Sequence, residues 1–304
     1  MPSYKTIFLV DDDEDDRMLV REALVKTVNP IRLVDVERSD DLFPFLDRAP
    51  MGPKLILMDM NMPRINGLEM LAKLKGDPRY EHIPVIMIST TTNSALITQA
   101  YSLGVNAFIV KPVSYEEYDQ LARGVALCFL NNYRWQATAP VSDFDDSKTI
   151  IVVEDSDDHW FLLQTAIRNS SMKYQLVRLN TKERATLFAK DELPGFVPAV
   201  DMILVDLYLP KREDGLQLLA NLRKSMHDHH LQNIPIVIFT YSDSSRDVDD
   251  CYRGQANAYL VKPLDVTGWR FYFENLIQFW SKAVKPPRFT RSAQGKIPEK
   301  RVGR

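Results

Sequence analysis

Apolar positions along the chain gather into short unbroken runs, separated by longer segments in which they recur at helical spacing. Thr6-Ile7-Phe8-Leu9-Val10 is the first run and Ile31-Arg32-Leu33-Val34-Asp35-Val36 the second. Leu55-Ile56-Leu57-Met58, Pro84-Val85-Ile86-Met87-Ile88-Ser89 and Ala107-Phe108-Ile109-Val110 follow. Runs of this length without a polar alternation read as strands covered on both faces, as in a parallel sheet. Between them the pattern predicts amphipathic helices over residues 17–26, 39–48, 67–75, 93–103 and 114–135. Asn29-Pro30 and Gly104 punctuate the pattern, while Pro44 falls inside the second helix and leaves its limits loose. Five strands alternating with five helices imply parallel strands joined by right-handed crossovers.

The whole pattern then returns. Residues 137–147 carry no apolar period and read as a linker, after which Thr149-Ile150-Ile151-Val152-Val153-Glu154-Asp155 repeats the opening of the chain. Asp11 and Asp12 align with Glu154 and Asp155, whereas Asp13 aligns with Ser156, so the first two acids belong to the pattern and the third does not. Asp59, Ser89 and Lys111 stand at the carboxyl ends of strands three, four and five, and return as Asp206, Thr240 and Lys262. Spacings from Asp12 through Asp59, Ser89 and Lys111 are 47, 30 and 22 residues; from Asp155 they are 51, 34 and 22. The extra residues of the second copy are expected in surface loops, one before Gly215 and three between Gly215 and Pro235. Strand carboxyl ends share one rim in a doubly wound sheet, so four distant segments of each copy converge there. The division is thus a first domain over 1–136, the linker, a second domain over 148–284, and a basic tail over 285–304.

Composition narrows the reading. With 45% apolar and 26% charged residues the chain is globular in type, and no stretch approaches the ~20 apolar residues that cross a bilayer. The start of the chain lacks a secretory apolar segment, which predicts a cytoplasmic protein. Cys128 and Cys251 sit in helix-like patterns and read as reduced packing residues. The net charge of −3 hides a division, since residues 285–304 hold seven of the 38 basic residues and one of the 41 acidic ones. The remainder carries −9, which argues against a duplex-binding surface, and the tail's composition predicts disorder.

Both halves resemble the receiver domain of bacterial two-component response regulators. Val10-Asp11-Asp12, Asp59 with Met62-Pro63 and Gly67, Ser89, and Lys111-Pro112 carry the resemblance in the first half. Val153-Glu154-Asp155, Asp206 with Leu209-Pro210 and Gly215, Thr240, and Lys262-Pro263 carry it in the second. It implies two flavodoxin-like (βα)5 domains with strand order 2-1-3-4-5. It further implies phosphoacceptors at Asp59 and Asp206, and Mg²⁺ or Mn²⁺ held by Asp11, Asp12, Asp59 and the Asn61 carbonyl. In the second domain the corresponding ligands are Glu154, Asp155, Asp206 and the Tyr208 carbonyl. Lys111 with Ser89, and Lys262 with Thr240, are the implied phosphoryl-binding pairs, and Phe108 and Tyr259 the implied switch aromatics. A sensor histidine kinase or histidine phosphotransfer protein would be the donor, and an unidentified downstream protein the target.

Catalysis of this kind is positioning and charge neutralisation, because phosphate oxygens meet a negative nucleophile. Without a cation, clustered carboxylates repel and raise one another's pKa, which weighs against a purely structural ion cluster. Tyr208, bulky where the first copy has Asn61, predicts a longer-lived phosphoaspartate in the second domain. Two rival readings stand beside this one: a metal-dependent phosphatase or phosphotransferase acting on a small substrate, and a scaffold in which one receiver is never phosphorylated. Residues 122–130 and 271–280 are apolar around much of each final helix, which suggests contact between the copies or a homodimer.

Overall fold

The computed structural model describes residues 5–130, 148–168, 174–196, 200–229, 231, 234–264 and 266–286. The linker at 137–147 and the tail beyond Pro286 lie outside them, as do residues 131–135 of the expected final helix of the first copy.

In the first domain β1 (Lys5–Val10), β2 (Ile31–Val36), β3 (Lys54–Asp59), β4 (Val85–Ser89) and β5 (Ala107–Val110) form one parallel sheet in the order β2-β1-β3-β4-β5. Successive strand residues point to opposite faces. Ile7 and Leu9 enter the apolar layer under α1 (Glu14–Thr27) and α5 (Tyr115–Leu130), while Phe8 and Val10 enter the opposite layer. That second layer is built with α2 (Leu42–Arg48), α3 (Gly67–Gly76) and α4 (Ser94–Ser102). Helices thus cover both sheet faces and leave the rim at the strands' carboxyl ends for the acids. The expected helix over 39–48 divides into a 3₁₀ turn, Ser39–Asp41, and α2. Pro44 stands in the first turn of α2, where its missing N–H would have no partner in any case.

The second domain repeats the plan with β6 (Thr149–Val153), β7 (Gln175–Leu179), β8 (Val200–Val205), β9 (Ile236–Thr240) and β10 (Ala258–Val261), ordered β7-β6-β8-β9-β10. Its helices are α6 (Asp157–Arg168), α7 (Lys182–Leu187), α8 (Leu193–Phe196), α9 (Arg212–Asp228), α10 (Ser245–Arg253) and α11 (Val266–Gln278). The inserted residues are not confined to loops as expected. They lengthen a helix: α9 has 17 residues where its counterpart α3 has 10. Arg212, Glu213 and Asp214 form an added first turn, held where the Lys211 N–H donates to the Asp214 carboxylate (3.3 Å).

The two domains pack against each other through the apolar final helices. α5 lies on α11, on the π-helical turn Phe279–Ala283 and on β10, so its face is buried almost all round. Gly124 is required there, since a Cβ would stand 1.9 Å from the Phe279 ring. Asn106 and Asn257, at matching positions before β5 and β10, donate across the seam to the carbonyls of Ala256 and Asn106, both at 3.0 Å. Val284 bridges Ile109 in antiparallel fashion, and the Lys285 N–H donates to the Phe108 carbonyl at 2.7 Å, closing the open edge of β5. Contact between the copies is therefore the arrangement found.

Candidate functional site

Local structure delivers each acid to the rim. Asp11 follows β1, its N–H donating to the Val36 carbonyl; Glu154 follows β6 and donates to Leu179 in the same way, both at 3.2 Å. Asp13 caps α1, its carboxylate accepting from the N–H groups of Asp15 and Asp16. Ser156 takes the same place before α6, accepting from His159 N–H. A cap tolerates either residue, which explains why the third acid of the run is replaceable. Gly67 presses against the strand end bearing Asp59: a Cβ there would meet the Asp59 carbonyl at 2.4 Å, and one on Gly215 would meet the Leu207 carbonyl at 2.1 Å.

In the first domain the carboxylates of Asp11, Asp12 and Asp59 supply oxygens within 4.8 Å of one another. Asp59 is buried, and its Oδ2 accepts from the Asn61 N–H at 2.9 Å. Its Oδ1 receives no hydrogen bond from a described residue, although Lys111 Nζ lies 3.4 Å away. That ammonium is committed elsewhere, to Asp16 Oδ2 at 2.6 Å and Asp11 Oδ2 at 2.9 Å. Burial alone would weaken the lysine's hold on its proton, but the bonds to Asp16 and Asp11 outweigh it and keep the group above the ordinary lysine range. Burial pushes the Asp11 carboxyl up, against the Asp13 N–H and Lys111. Ser89 is fully buried beside them, its Oγ accepting from Asn61 Nδ2 at 3.4 Å and Thr91 N–H at 3.3 Å.

A buried carboxylate oxygen without a donor is costly unless something positive reaches it. The donor set, three carboxylates at a strand rim, is the hard oxygen kind that suits Mg²⁺ or Mn²⁺. These residues fit the cation that the resemblance implies.

In the second domain the ligand atoms that converge belong to Glu154, Asp206 and His159. Asp155, expected among them, is exposed and outside the cluster. Lys262 is wholly buried, with Nζ 2.5 Å from Asp206 Oδ2, 2.6 Å from Glu154 Oε2 and 3.3 Å from His159 Nδ1. The rings of Phe239 and Tyr241 lie 5.6 and 5.5 Å from that ammonium. Tyr208 donates its N–H to Asp206 Oδ1 (3.1 Å), and its hydroxyl turns to Asp247 (3.1 Å). Thr240 is buried like Ser89, and the aromatics Phe108 and Tyr259 both point inward.

Four participants were not read from the sequence: Asp16, His159 and the paired Arg212 and Asp247. Asp16 and His159 hold the same position in the two copies, five residues after Asp11 and Glu154, so the alignment of the repeats held their signal. Arg212 joins Asp247 at 2.5 Å and also Asp250, a pairing that links the added turn of α9 to α10 and leaves no local trace.

Known proteins are similar to this chain in parts of it. Rcp1, a response regulator of Synechocystis, is 30% identical over 127 residues, covering 40% of this chain and 86% of its own. The chemotaxis protein CheY1 of Helicobacter pylori is 33% identical over 106 residues, 35% of this chain and 84% of that protein. A solved structure, the phosphorylated cyanobacterial phytochrome response regulator RcpA, is 34% identical with a TM-score of 0.38, covering 41% of this chain and 92% of its own. The response regulator receiver domain family matches residues 7–123 and again 150–268. Each match spans one of the two parallel sheets, together they cover more than half of the chain, and the chain belongs to the response regulator receiver domain family.

Proposed function

We propose that the chain is a phosphoryl-accepting response regulator of a two-component system, in which Asp59 takes phosphate from a phosphohistidine of a sensor kinase or phosphotransfer protein. The observation that carries this is the buried Asp59 Oδ1, which receives no hydrogen bond from a described residue and lies 3.4 Å from Lys111 Nζ. In the transfer, the donor's N–P bond breaks as Oδ1 forms the O–P bond of an acyl phosphate, so no proton moves on the acceptor. The Asn61 N–H on Oδ2 fixes the carboxylate's orientation. Lys111 offers a compact charge to one phosphoryl oxygen, and Ser89 a hydroxyl to another. Asp11, Asp12, Asp59 and the Asn61 carbonyl would hold Mg²⁺ or Mn²⁺, which when bound neutralises charge between phosphate and carboxylate. Asp206 takes the acceptor position of the second domain by alignment, with Glu154, Asp155, the Tyr208 carbonyl, Lys262 and Thr240 in the corresponding places.

Receiver domains are signalling phosphoacceptors, so the output is a protein contact rather than turnover of a substrate. Among the described residues no helix is long and apolar enough to cross a membrane. Incubation with Mg²⁺ and acetyl phosphate, followed by intact mass measurement, tests the proposal. A stable phosphoryl adduct that Asp59→Asn removes supports it; phosphate release with no adduct supports a phosphatase instead.

A further inference from the structure

Among the four oxygens of the first rim acid and the acceptor, the two rims differ at one. Asp11 Oδ1 and Glu154 Oε1 each accept from the N–H two residues on, at 2.9 and 3.1 Å. Asp11 Oδ2 and Glu154 Oε2 each accept from the strand-five lysine, at 2.9 and 2.6 Å. Asp59 Oδ2 and Asp206 Oδ1 each accept from the N–H two residues on. Only the last oxygen departs: Asp59 Oδ1 receives no hydrogen bond from a described residue and stands 3.4 Å from Lys111 Nζ, whereas Asp206 Oδ2 holds Lys262 Nζ at 2.5 Å.

An ammonium has three N–H groups to distribute. In the first domain Asp16 takes one, drawing Lys111 toward α1 and away from Asp59. His159 stands in that place in the second domain, its imidazole 3.3 Å from Nζ and 3.1 Å from Glu154 Oε1. Among the described residues no carboxylate takes that place, and Glu154 is one methylene longer than Asp11, so the lysine settles on the acceptor itself. Counting formal charge, Asp11, Asp12, Asp16, Asp59 and Lys111 leave −3 around the first rim. The aligned Glu154, Asp155, Asp206 and Lys262 leave −2 around the second.

We propose that Lys262 is the resident cation of the second domain: it takes the place that a divalent ion takes in the first, and the residue five positions after the first rim acid, Asp16 or His159, decides which. The implied Mg²⁺ or Mn²⁺ does not fit the second rim, whose buried carboxylate oxygens are all engaged and whose expected ligand Asp155 lies outside. A divalent ion entering there would displace a buried ammonium from two carboxylates and two aromatic rings. The second domain is therefore a standing partner, fixed in one state and seated on the β5–α5 face of the first, and Asp59 is the responsive acceptor.

This rests on reading Asp59 as a cation-binding acceptor, and titration of the full chain with Mn²⁺, followed by electron paramagnetic resonance, separates the two claims. One Mn²⁺ per chain is expected, weakened about 10–100-fold by Asp59→Asn, the usual loss when a metal site is damaged. Lys262→Gln and His159→Asp are each expected to add a second Mn²⁺, and in Lys262→Gln Mn²⁺ raises the melting temperature of the second domain. Two Mn²⁺ bound to the wild-type chain, one of them lost in Asp206→Asn, would overturn the inference and leave the reading of Asp59 intact. Absence of any Mn²⁺ from the wild-type chain would overturn the reading of Asp59, and a site gained in Lys262→Gln would still support the resident ammonium. Failure of both second-domain variants to gain a site overturns it outright.

Discussion

Laid over each other, the two domains share a strand order, a rim and an acceptor carboxylate faced by a lysine from the last strand, yet their lysines make different choices. Lys111 keeps 15% of its side chain exposed and leans on Asp16, whereas Lys262 has none exposed and sits on Asp206. The difference teaches that an acceptor site is defined less by its acids than by where its one fixed cation is spent. A second contrast surrounds it. Asp247 in α10 gathers Tyr208, Ser242 and Arg212, whereas the aligned position in α4 is Leu96, with an apolar side chain. The second domain thus ties its acceptor loop to α10 by hydrogen bonds, whereas in the first Asn61 of that loop bonds to Ser89 at the end of β4.

The sharpest way to break the comparison is at the acceptors. Asp59→Asn is expected to abolish the adduct formed with acetyl phosphate and Mg²⁺, read by intact mass. A full adduct persisting on Asp206 would erase the distinction between the domains. Next in size is the seam. Gly124→Val drives a side chain into the Phe279 ring, an overpacking that costs about 3 kcal/mol. Cys128, buried on α5 and its thiol made inert by burial, should then react with a thiol reagent while the equally buried Cys251 stays protected. Equal labelling of both would mean global unfolding instead of separation.

Asp247→Asn is expected to cost about 2 kcal/mol, confined to the melting of the second domain, because it weakens a buried charged bond to Arg212. The same residue sets an acid dependence. Burial would raise the Asp247 carboxyl, but its bonds to Ser242, Arg212 and Tyr208 outweigh this and hold it below the usual range. A depressed carboxyl contributes stability that is present above the ordinary value, about 4, and lost as pH falls through the folded value. Acid melts of the second domain should flatten in Asp247→Asn, while those of the first, with Leu96 there, stay unchanged. The smallest effect is where the domains agree: Asp13→Ala and Ser156→Ala each remove an N-cap and should each cost about 1 kcal/mol. A large inequality between them would show that one cap also supports its rim.

The strands, the repeat and the rim residues were legible in the sequence because each depends on local order. An unbroken apolar run places a strand, and the residue ending it reaches the rim whatever else the chain does. Asp59, Ser89 and Lys111 could be named from that alone, as could the dispensable third acid, by setting one copy against the other. What the tertiary structure alone decided depends on competition between distant groups. Lys111 chooses among Asp11, Asp16 and Asp59, up to 100 residues away, and a difference of under 1 Å in that choice leaves one oxygen with no hydrogen bond from a described residue. The inserted residues joined α9 because Arg212 found Asp247 and Asp250 on another helix. The all-round apolar face of α5 showed that something must cover it; only packing, with Gly124 opening room for Phe279, determined that the cover is the other half of the same chain. Periodicity records which residues leave water, whereas partnership is settled by geometry among groups that meet only after folding.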